Sequence, residues 1–147
     1  MTSSIPSYGS LEVNVRRAIS RIQTDYQQQI DSLEAALTPE YGSNSNGQYV
    51  KFADGTMICW RRHTVTDQAI SSAYGAMYTG TRGYSFPVAF TAVPTVTVGE
   101  AKYGSSASWG WVDVATASTF TARFMDGFTR ATGTSMTISW VAVGRWS

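Results

Sequence analysis

The first quarter of the chain carries apolar residues at steps of four, four and three positions, a pattern that repeats every eleven residues. Such a repeat averages about 3.67 residues per turn and aligns the apolar side chains on one face of a straight or slightly right-handed helix. Because the other faces are polar, nothing within the segment buries these residues, and the pattern predicts a helix that associates with copies of itself. The eight positions form what we call the apolar stripe: Leu11, Val15, Ile19, Ile22, Tyr26, Ile30, Leu33 and Leu37.

The predicted helix runs from about Ser10 to Leu37, since Pro39 and Gly42 follow it and break helices. The mixed side chains of the stripe leave the coiled-coil strand number open at roughly two to four. A single amphipathic helix that packs on the rest of the chain is the alternative interpretation. The chain then divides into an arm over residues 1–9, a helical coiled-coil stalk over 10–41, a hinge over 42–47 and a β head over 48–147.

After the hinge, two alternating apolar runs flank the pair Asp54-Gly55. An Asp-Gly pair in this position is a strong hairpin signal, because a type I′ turn needs positive φ at both central residues. The sequence therefore predicts a hairpin whose strands lie over 48–53 and 56–60.

Four more segments alternate apolar and polar residues, over 95–100, 109–114, 120–124 and 136–143. Residues 61–84 are rich in Gly, Ser, Thr and Tyr without a clear period, and are predicted to form a long loop. Short strands separated by turn residues predict an antiparallel β-sandwich, so the chain is expected to be mainly β. The side chains expected to face the core are Val96, Val98, Gly110, Val112, Val114, Phe120, Ala122, Phe124, Met136, Ile138, Trp140 and Ala142.

Two of these strands also carry large apolar side chains on the opposite face. These are Trp109 and Trp111 in one strand, and Val141 and Val143 in the other. A monomeric sandwich needs only one buried face per sheet. We therefore expect Trp109, Val141 and Val143 to join the apolar stripe in an interface between subunits.

The composition excludes some classes of partner. Only 14% of the residues are charged, with three basic and five acidic residues over 1–40 and eight basic and five acidic over 41–147. Neither part has the basic run that sequence-independent nucleic-acid binding requires. No apolar run approaches the ~20 residues of a membrane span, and no secretory signal is visible. We expect no nucleic acid, no membrane insertion, and synthesis in a cytoplasm followed by release on lysis.

The chain has one cysteine, Cys59, and one histidine, His63. A disulfide within the chain is impossible, and neither a metal site nor a cofactor is expected. Cys59 is expected to act as a small buried hydrophobe. His63, next to Arg61 and Arg62, is expected at a solvated strand end.

Two segments resemble known families. Residues 45–60, SNGQYVKFADGTMICW, resemble the hairpin that opens the C-terminal domain of many bacteriophage and prophage tail-fibre proteins. The segments 86–90, 94–98 and 139–144, together with Phe120, resemble the H-type lectin domain. The lectin resemblance implies a six-stranded antiparallel sandwich that assembles as a homotrimer, which would set the number of stalk helices at three.

Together the resemblances imply a phage tail-fibre or spike protein that attaches the virion to a host-surface polysaccharide. Its N-terminus would dock on another virion structural protein, and it would be made in the host cytoplasm. The alternative is a structural virion spike, head fibre or decoration protein with little ligand binding.

A sugar site needs an aromatic face for the C–H surface of the ring and planar polar groups for its hydroxyls. Residues that meet this need in predicted loops and strand ends are Asp126, Phe128, Arg130, Lys102, Tyr103, Trp111, Asp113, Tyr78 and Arg82, with Tyr74 and Tyr84 nearby. No nucleophile elbow or phosphate loop is present. A carboxylate pair for glycoside hydrolysis could be drawn only from Asp113 and Asp126, and we expect no enzyme.

Overall fold

The computed structural model describes residues 8–104 and 106–147, in two compact units, Met1–Thr38 and Pro39–Ser147. In the first unit, helix α1 runs over Tyr8–Leu37. Thr38 closes its last turn, because its backbone N–H and its hydroxyl both donate to the Glu34 carbonyl, at 3.0 and 2.7 Å. Of the predicted arm over residues 1–9, residues 1–7 lie outside the described residues and the last two are helical. The whole apolar stripe therefore lies on one continuous helix.

The apolar stripe of α1 is open to solvent. Its eight side chains are 47–71% exposed. The polar faces carry pairs one helical turn apart, such as Arg16 with Glu12 at 2.8 Å and Gln27 with Asp31 at 2.8 Å, which support an isolated helix. Within the described part of the chain, no helix is long and apolar enough to cross a membrane.

The second unit consists of ten strands in two antiparallel sheets. One sheet has six strands in the order β1-β2-β3-β10-β6-β7, and the other has four in the order β4-β5-β9-β8. The strands are β1 (Glu40–Asn44), β2 (Gly47–Lys51), β3 (Thr56–Val65), β4 (Ser72–Tyr74), β5 (Met77–Ser85), β6 (Thr95–Tyr103), β7 (Ser106–Ala107), β8 (Trp109–Ala115), β9 (Thr119–Asp126) and β10 (Met136–Arg145).

The two sheets share one core. The alternation predicted over 120–124 and 136–142 is confirmed, because every second residue of β9 and β10 is buried there. Cys59 is fully buried as expected, and burial raises the pKa of its thiol to about 11. The core cluster draws on both sheets and on residues 86–90: Met57, Cys59, Ile70, Tyr84, Phe86, Phe90, Ala101, Tyr103, Phe120, Ala122, Phe124, Met136, Ile138, Trp140 and Ala142.

The long loop predicted over 61–84 is wrong. Strand β3 continues to Val65, and β4 and β5 occupy most of the remaining segment. On the inward face of β5, Gly80 and Arg82 stand between Tyr78 and Tyr84, so the apolar period of two is lost. Gly80 is required there, since the Ala69 carbonyl oxygen occupies the space that a Cβ atom would need.

The hinge predicted over 42–47 also differs from the structure. Residues 40–44 form β1, which pairs with β2 so that Asn44 lies opposite Gly47. The connecting turn is held by the Asn44 side chain, whose Oδ1 accepts from the Asn46 N–H at 2.9 Å. Asn, Ser and Gly suit a tight turn as well as a flexible joint, and composition alone does not separate the two.

The hairpin at Asp54-Gly55 is confirmed, but its turn type is not I′. Gly55 has φ of 85°, whereas no described non-glycine residue has positive φ. The Gly55 N–H donates to the Phe52 carbonyl at 3.0 Å, as in a type I turn followed by a left-handed glycine. Asp54 instead accepts from the Thr56 N–H at 2.7 Å.

The prediction that Val114 faces the core is wrong. The pairing of β8 with β9 shifts register between Val112 and Val114, as expected of a β-bulge. Val112 packs against the core, Val114 is exposed, and Ala115 packs against the core again.

Candidate functional site

Four of the nine candidate sugar-binding residues, Tyr103, Asp126, Phe128 and Arg130, lie together at one end of the β unit, which we call the loop end and define by the segments 66–71 and 127–135. Backbone hydrogen bonds join these segments. Ile70 and Arg130 exchange N–H to carbonyl bonds of 2.9 and 2.8 Å, and the Gly133 N–H donates to the Thr66 carbonyl at 2.7 Å. The two loops are therefore fixed relative to each other.

Asp126, the last residue of β9, organises the 127–135 loop although only 1% of it is exposed. Its Oδ2 accepts from the Ser108 hydroxyl at 2.7 Å and from Arg130 Nε at 2.8 Å. Its Oδ1 accepts from the Phe128 N–H at 2.9 Å and from Arg130 Nη2 at 3.2 Å. Both carboxylate oxygens are therefore satisfied within the chain, and the loop is held in one conformation.

The charge state of Asp126 follows from these bonds. Burial raises the pKa of its carboxyl, but the hydrogen bonds from Arg130, Ser108 and the Phe128 backbone outweigh burial and bring the pKa below its ordinary value. The same pairing raises the pKa of Arg130. The pair is thus an ionised, bidentate contact at neutral pH.

Two aromatic rings border the Arg130 guanidinium. Its Cζ lies 5.6 Å from the centre of the Tyr103 ring and 5.7 Å from that of Phe128. Tyr103 is buried and its hydroxyl donates to the Ala131 carbonyl, so it supports the loop from below. Phe128 is 71% exposed. Of the predicted trio Asp126, Phe128 and Arg130, Phe128 is the member available to a ligand over most of its surface.

The other candidates are placed elsewhere. Lys102 is exposed and faces outward from the six-stranded sheet, opposite Thr137, while its neighbour Tyr103 faces the core. Tyr78 lies in β5, opposite Asp126 of β9, and packs against the core. Arg82 also lies in β5, and its Nη1 donates to Asp67 at 2.9 Å.

Trp111 and Asp113 point outward from the four-stranded sheet, on the face opposite to Phe124. Asp113 accepts two bonds from Arg123, at 3.1 and 2.7 Å, and this contact lowers the pKa of Asp113. Trp111 is 38% exposed and lies opposite Arg123 in the ladder. This outward face is separate from the Asp126 cluster, so the structure does not unite all predicted sugar contacts in one place.

A second polar site, absent from the predictions, lies beside β3. We call it the β3 groove: it is lined by residues 43–45, 47–48 and 60–63 and has a volume of about 540 Å³. β2 pairs with β3 only over Met57–Trp60, and the groove opens where this pairing stops. One face of β3 carries every second residue, namely Met57, Cys59, Arg61 and His63. This alternation in the sequence could have indicated that an arginine and a histidine face inward.

The prediction that His63 lies at a solvated strand end is wrong. Both of its ring nitrogens are buried without a hydrogen-bond partner in the described part of the protein. Burial, followed by the charges of Arg61 and Arg82, lowers the pKa of His63 to about 4, although the Ile138 backbone opposes the shift. The imidazole is therefore neutral at pH 7.

Replacement of Asp126 by alanine is expected to destabilise the β unit by about 2 kcal/mol, since it removes the acceptor shared by the Phe128 N–H and the half-buried Ser108 and Arg130 side chains. Asp113→Ala is the matched control, because it also removes a carboxylate from a bidentate arginine pair, but an exposed one, and it is expected to cost much less stability. Urea unfolding followed by tryptophan fluorescence measures both. Equal losses for the two variants would contradict a structural role of Asp126.

The low pKa of His63 predicts a specific acid sensitivity. Between the ordinary pKa of about 6.5 and the folded pKa of about 4, the unfolded chain binds a proton at His63 that the folded chain does not. Stability is therefore lost as pH falls through this window. In His63→Gln, the urea midpoint is expected to fall less between pH 7 and pH 4.5 than in the unaltered chain. Parallel pH profiles would mean that His63 does not titrate in this way.

No protein-family model matches the chain, and no curated protein matches its sequence. Among solved structures, an N-truncated R1-type pyocin tail fibre is 14% identical with a TM-score of 0.54, over 80% of this chain and 94% of that one. A C-terminal fragment of the R1 pyocin fibre of Pseudomonas aeruginosa is 16% identical with a TM-score of 0.53, over 73% of this chain and 28% of that one. Recombinant discoidin II of Dictyostelium discoideum is 25% identical with a TM-score of 0.48, over 61% and 37%.

The chain thus spans a little over a quarter, 28%, of the longer R1 fibre fragment and nearly all of the shorter one, of which it covers 94%. At these identities the likeness is one of fold. The predicted resemblance to tail-fibre proteins is confirmed at that level: the chain is mainly β, with one N-terminal helix, and it is similar in fold to pyocin tail fibres.

Proposed function

We propose that the chain is a subunit of a homotrimeric tail fibre or spike that attaches a phage virion to a host-surface glycan. The observation that carries the proposal is a tail-fibre-like fold whose loop end presents the exposed Phe128 ring beside an ordered arginine–carboxylate pair. The likeness to pyocin tail fibres supports a virion location. A further virion structural protein is the proposed partner of residues 1–9.

The exposed apolar stripe of α1 supports a coiled-coil stalk. A helix of 30 residues is about 45 Å long, and its eight stripe residues would remain in contact with water unless another surface covers them. Burial against the same stripe in two further copies satisfies every position at once. The eleven-residue period favours a nearly straight bundle, which suits a fibre.

The outward faces of the β unit support contacts between heads. Val141 and Val143, 39% and 42% exposed, lie opposite Trp60 and Ile58 on the six-stranded sheet. Trp109, 48% exposed, lies on the outward face of the four-stranded sheet. These faces belong to different sheets, so they suit a heterologous contact in which one chain presents one face to the other face of its neighbour. Such contacts close into a three-membered ring when neighbouring chains are related by a rotation of a third of a turn.

The chemistry of the loop end supports sugar binding. Phe128 offers an exposed aromatic face to the C–H surface of a pyranose, and the adjacent Arg130 offers planar N–H donors to hydroxyls. Because Asp126 already fixes Arg130, little conformational entropy is lost when a ligand binds. Trp111, Lys102, Tyr78 and Arg82 lie outside this cluster and would contact only a longer glycan chain.

We propose that the chain is not an enzyme. The two carboxylates that could have formed a hydrolytic pair, Asp113 and Asp126, each bind an arginine that keeps them ionised. A glycosidase needs one of its two carboxyl groups protonated at working pH to act as the general acid.

A structural spike, head fibre or decoration protein is the second candidate. The observation that favours it is the complete internal satisfaction of Asp126, which explains the loop without any ligand. Antibody labelling of virions separates the candidates, since label on the capsid favours decoration and label at the tail tip favours receptor binding.

The stalk predicts the assembly state. Light scattering on a sizing column is expected to give about three times the 16.0 kDa of one chain. Ile22→Glu places a charge on the apolar stripe and is expected to dissociate the trimer, whereas Gln23→Glu adds the same charge on a polar face and is expected to leave it intact. A monomeric unaltered chain would contradict the stalk.

The loop end predicts binding to cells. Fluorescently labelled intact chain is expected to bind susceptible strains in a bacterial panel and to lose binding after periodate oxidation of surface polysaccharide. Phe128→Ala is expected to weaken binding about tenfold, the value of one aromatic contact of ~1.4 kcal/mol. Val93→Ala, another exposed apolar residue, is the control. Unchanged binding after periodate would point to a protein receptor.

A further inference from the structure

We infer that the β3 groove binds the anionic group, a carboxylate or a phosphate, of an acidic saccharide. This deepens the proposed function, on which it rests, by naming the substrate class and by adding a second contact site apart from the Asp126 cluster.

The lining of the groove has the chemistry of a sugar site. Trp60 supplies an aromatic side chain, Gln48 supplies an amide, and Ser43 supplies a hydroxyl, whereas the Asn44 amide is engaged by the Asn46 N–H and the Pro87 carbonyl. The volume of about 540 Å³ lies within the range of roughly 300–1,000 Å³ that small-molecule sites occupy. The groove therefore has room for more than one sugar residue and offers both stacking and hydrogen-bonding groups.

The charge of the groove selects for an anion. Its lining includes Arg61, Arg62 and His63 and no acidic residue. Arg62 is occupied by Glu100 at 2.9 Å. Arg61 forms no ion pair with any described residue, although it is only partly exposed. A half-buried guanidinium without a carboxylate is costly unless a ligand supplies one, and a bidentate pair is the contact it makes best.

Arg82 adds a second positive charge close to this position. Its charge and that of Arg61 both act on His63 and on Tyr84. Among the described residues, the carboxylate paired with Arg82 is that of Asp67, which is itself largely exposed. Arg61 is therefore the arginine of the groove lining that no carboxylate of a described residue neutralises.

Unpartnered polar atoms lie directly behind the groove. The Tyr84 hydroxyl and the two His63 ring nitrogens are buried without a partner in the described residues, and their rings meet edge to face with centroids 5.5 Å apart. Tyr84 itself is 6% exposed. A neutral imidazole provides one donor and one acceptor, and a phenol provides a donor. The rings behind the groove therefore have hydrogen-bonding capacity that the described residues do not fill.

The test titrates the intact chain by calorimetry with three probes: trigalacturonate for a carboxylate, mannose 6-phosphate for a phosphate, and galactotriose as the neutral sugar. At least one acidic probe is expected to bind tenfold or more tightly than galactotriose, and to bind more weakly as salt increases. Which of the two binds identifies the anionic group. Equal binding of all three probes, or no binding of either acidic probe, would overturn the inference.

Variants assign the binding to the groove. Arg61→Gln is expected to abolish the preference for the acidic probe, and Arg61→Lys to retain only part of it. Arg21→Gln removes the same charge from the helix and is expected to leave the preference unchanged. Gln48 lies at an exposed position of β2, and Gln48→Trp is designed to fill the groove while residue 61 stays arginine. This variant provides a second test if Arg61→Gln unfolds. Full acidic binding in both Arg61→Gln and Gln48→Trp would contradict the assignment.

The whole-cell assay separates this inference from the proposed function. Periodate-sensitive cell binding without affinity for either acidic probe would leave the glycan function standing and remove the groove from it. Acidic-probe binding that requires Arg61, without any cell binding, would keep the groove and contradict host attachment.

Discussion

The β unit depends on a cluster of aromatic rings that joins its two sheets. Trp140 of β10 meets Phe120 of β9 edge to face, with centroids 5.2 Å apart, and Tyr84 and Phe86 stack on Phe120 at 5.0 and 5.5 Å. Pairs of this geometry contribute about 0.5–1.5 kcal/mol each beyond the area they bury. Because β9 and β10 are inner strands of different sheets, this cluster fixes how the two sheets face each other.

Charge is treated differently at the two polar sites built on this core. At the loop end, Asp126 and Arg130 neutralise each other, and the loop between them is ordered by that pairing. In the β3 groove, Arg61 and His63 face inward from a strand whose other inward residues are apolar, and no carboxylate of the lining compensates them. The pairing at the loop end stabilises the fold. In the β3 groove, the His63 ring nitrogens lack hydrogen-bond partners and Arg61 lacks an ion-pair partner among the described residues.

The parts of the fold that could be read from the sequence are those with strong periodicity. The helix, the hairpin at Asp54-Gly55, and strands β9 and β10 all follow an apolar period of 3.67 or of two. Strand β5 was not predicted because Gly80 and Arg82 occupy inward positions where apolar residues are expected. Gly80 makes room for the Ala69 carbonyl, and Arg82 pairs with Asp67, so both depend on residues outside the strand. Likewise, the bulge after Val112 depends on pairing with β9, and the burial of His63 depends on Tyr84, 21 residues away. The pairing of Asp126 with Arg130 is local, four residues apart, and could be anticipated; the rings that flank it could not.

The free edge of β3 also has a meaning for solubility. Over Arg61–Val65 the strand is bonded on one side to β10, while β2 has already turned away at Asn44–Gly47. An unpaired strand edge is a template on which another chain can add a strand, and sheet proteins protect such edges with charge. Arg61 and Arg62 stand where the edge becomes free, and like charges on an incoming copy would oppose pairing. Two copies of the β unit can then come close together without their sheets merging.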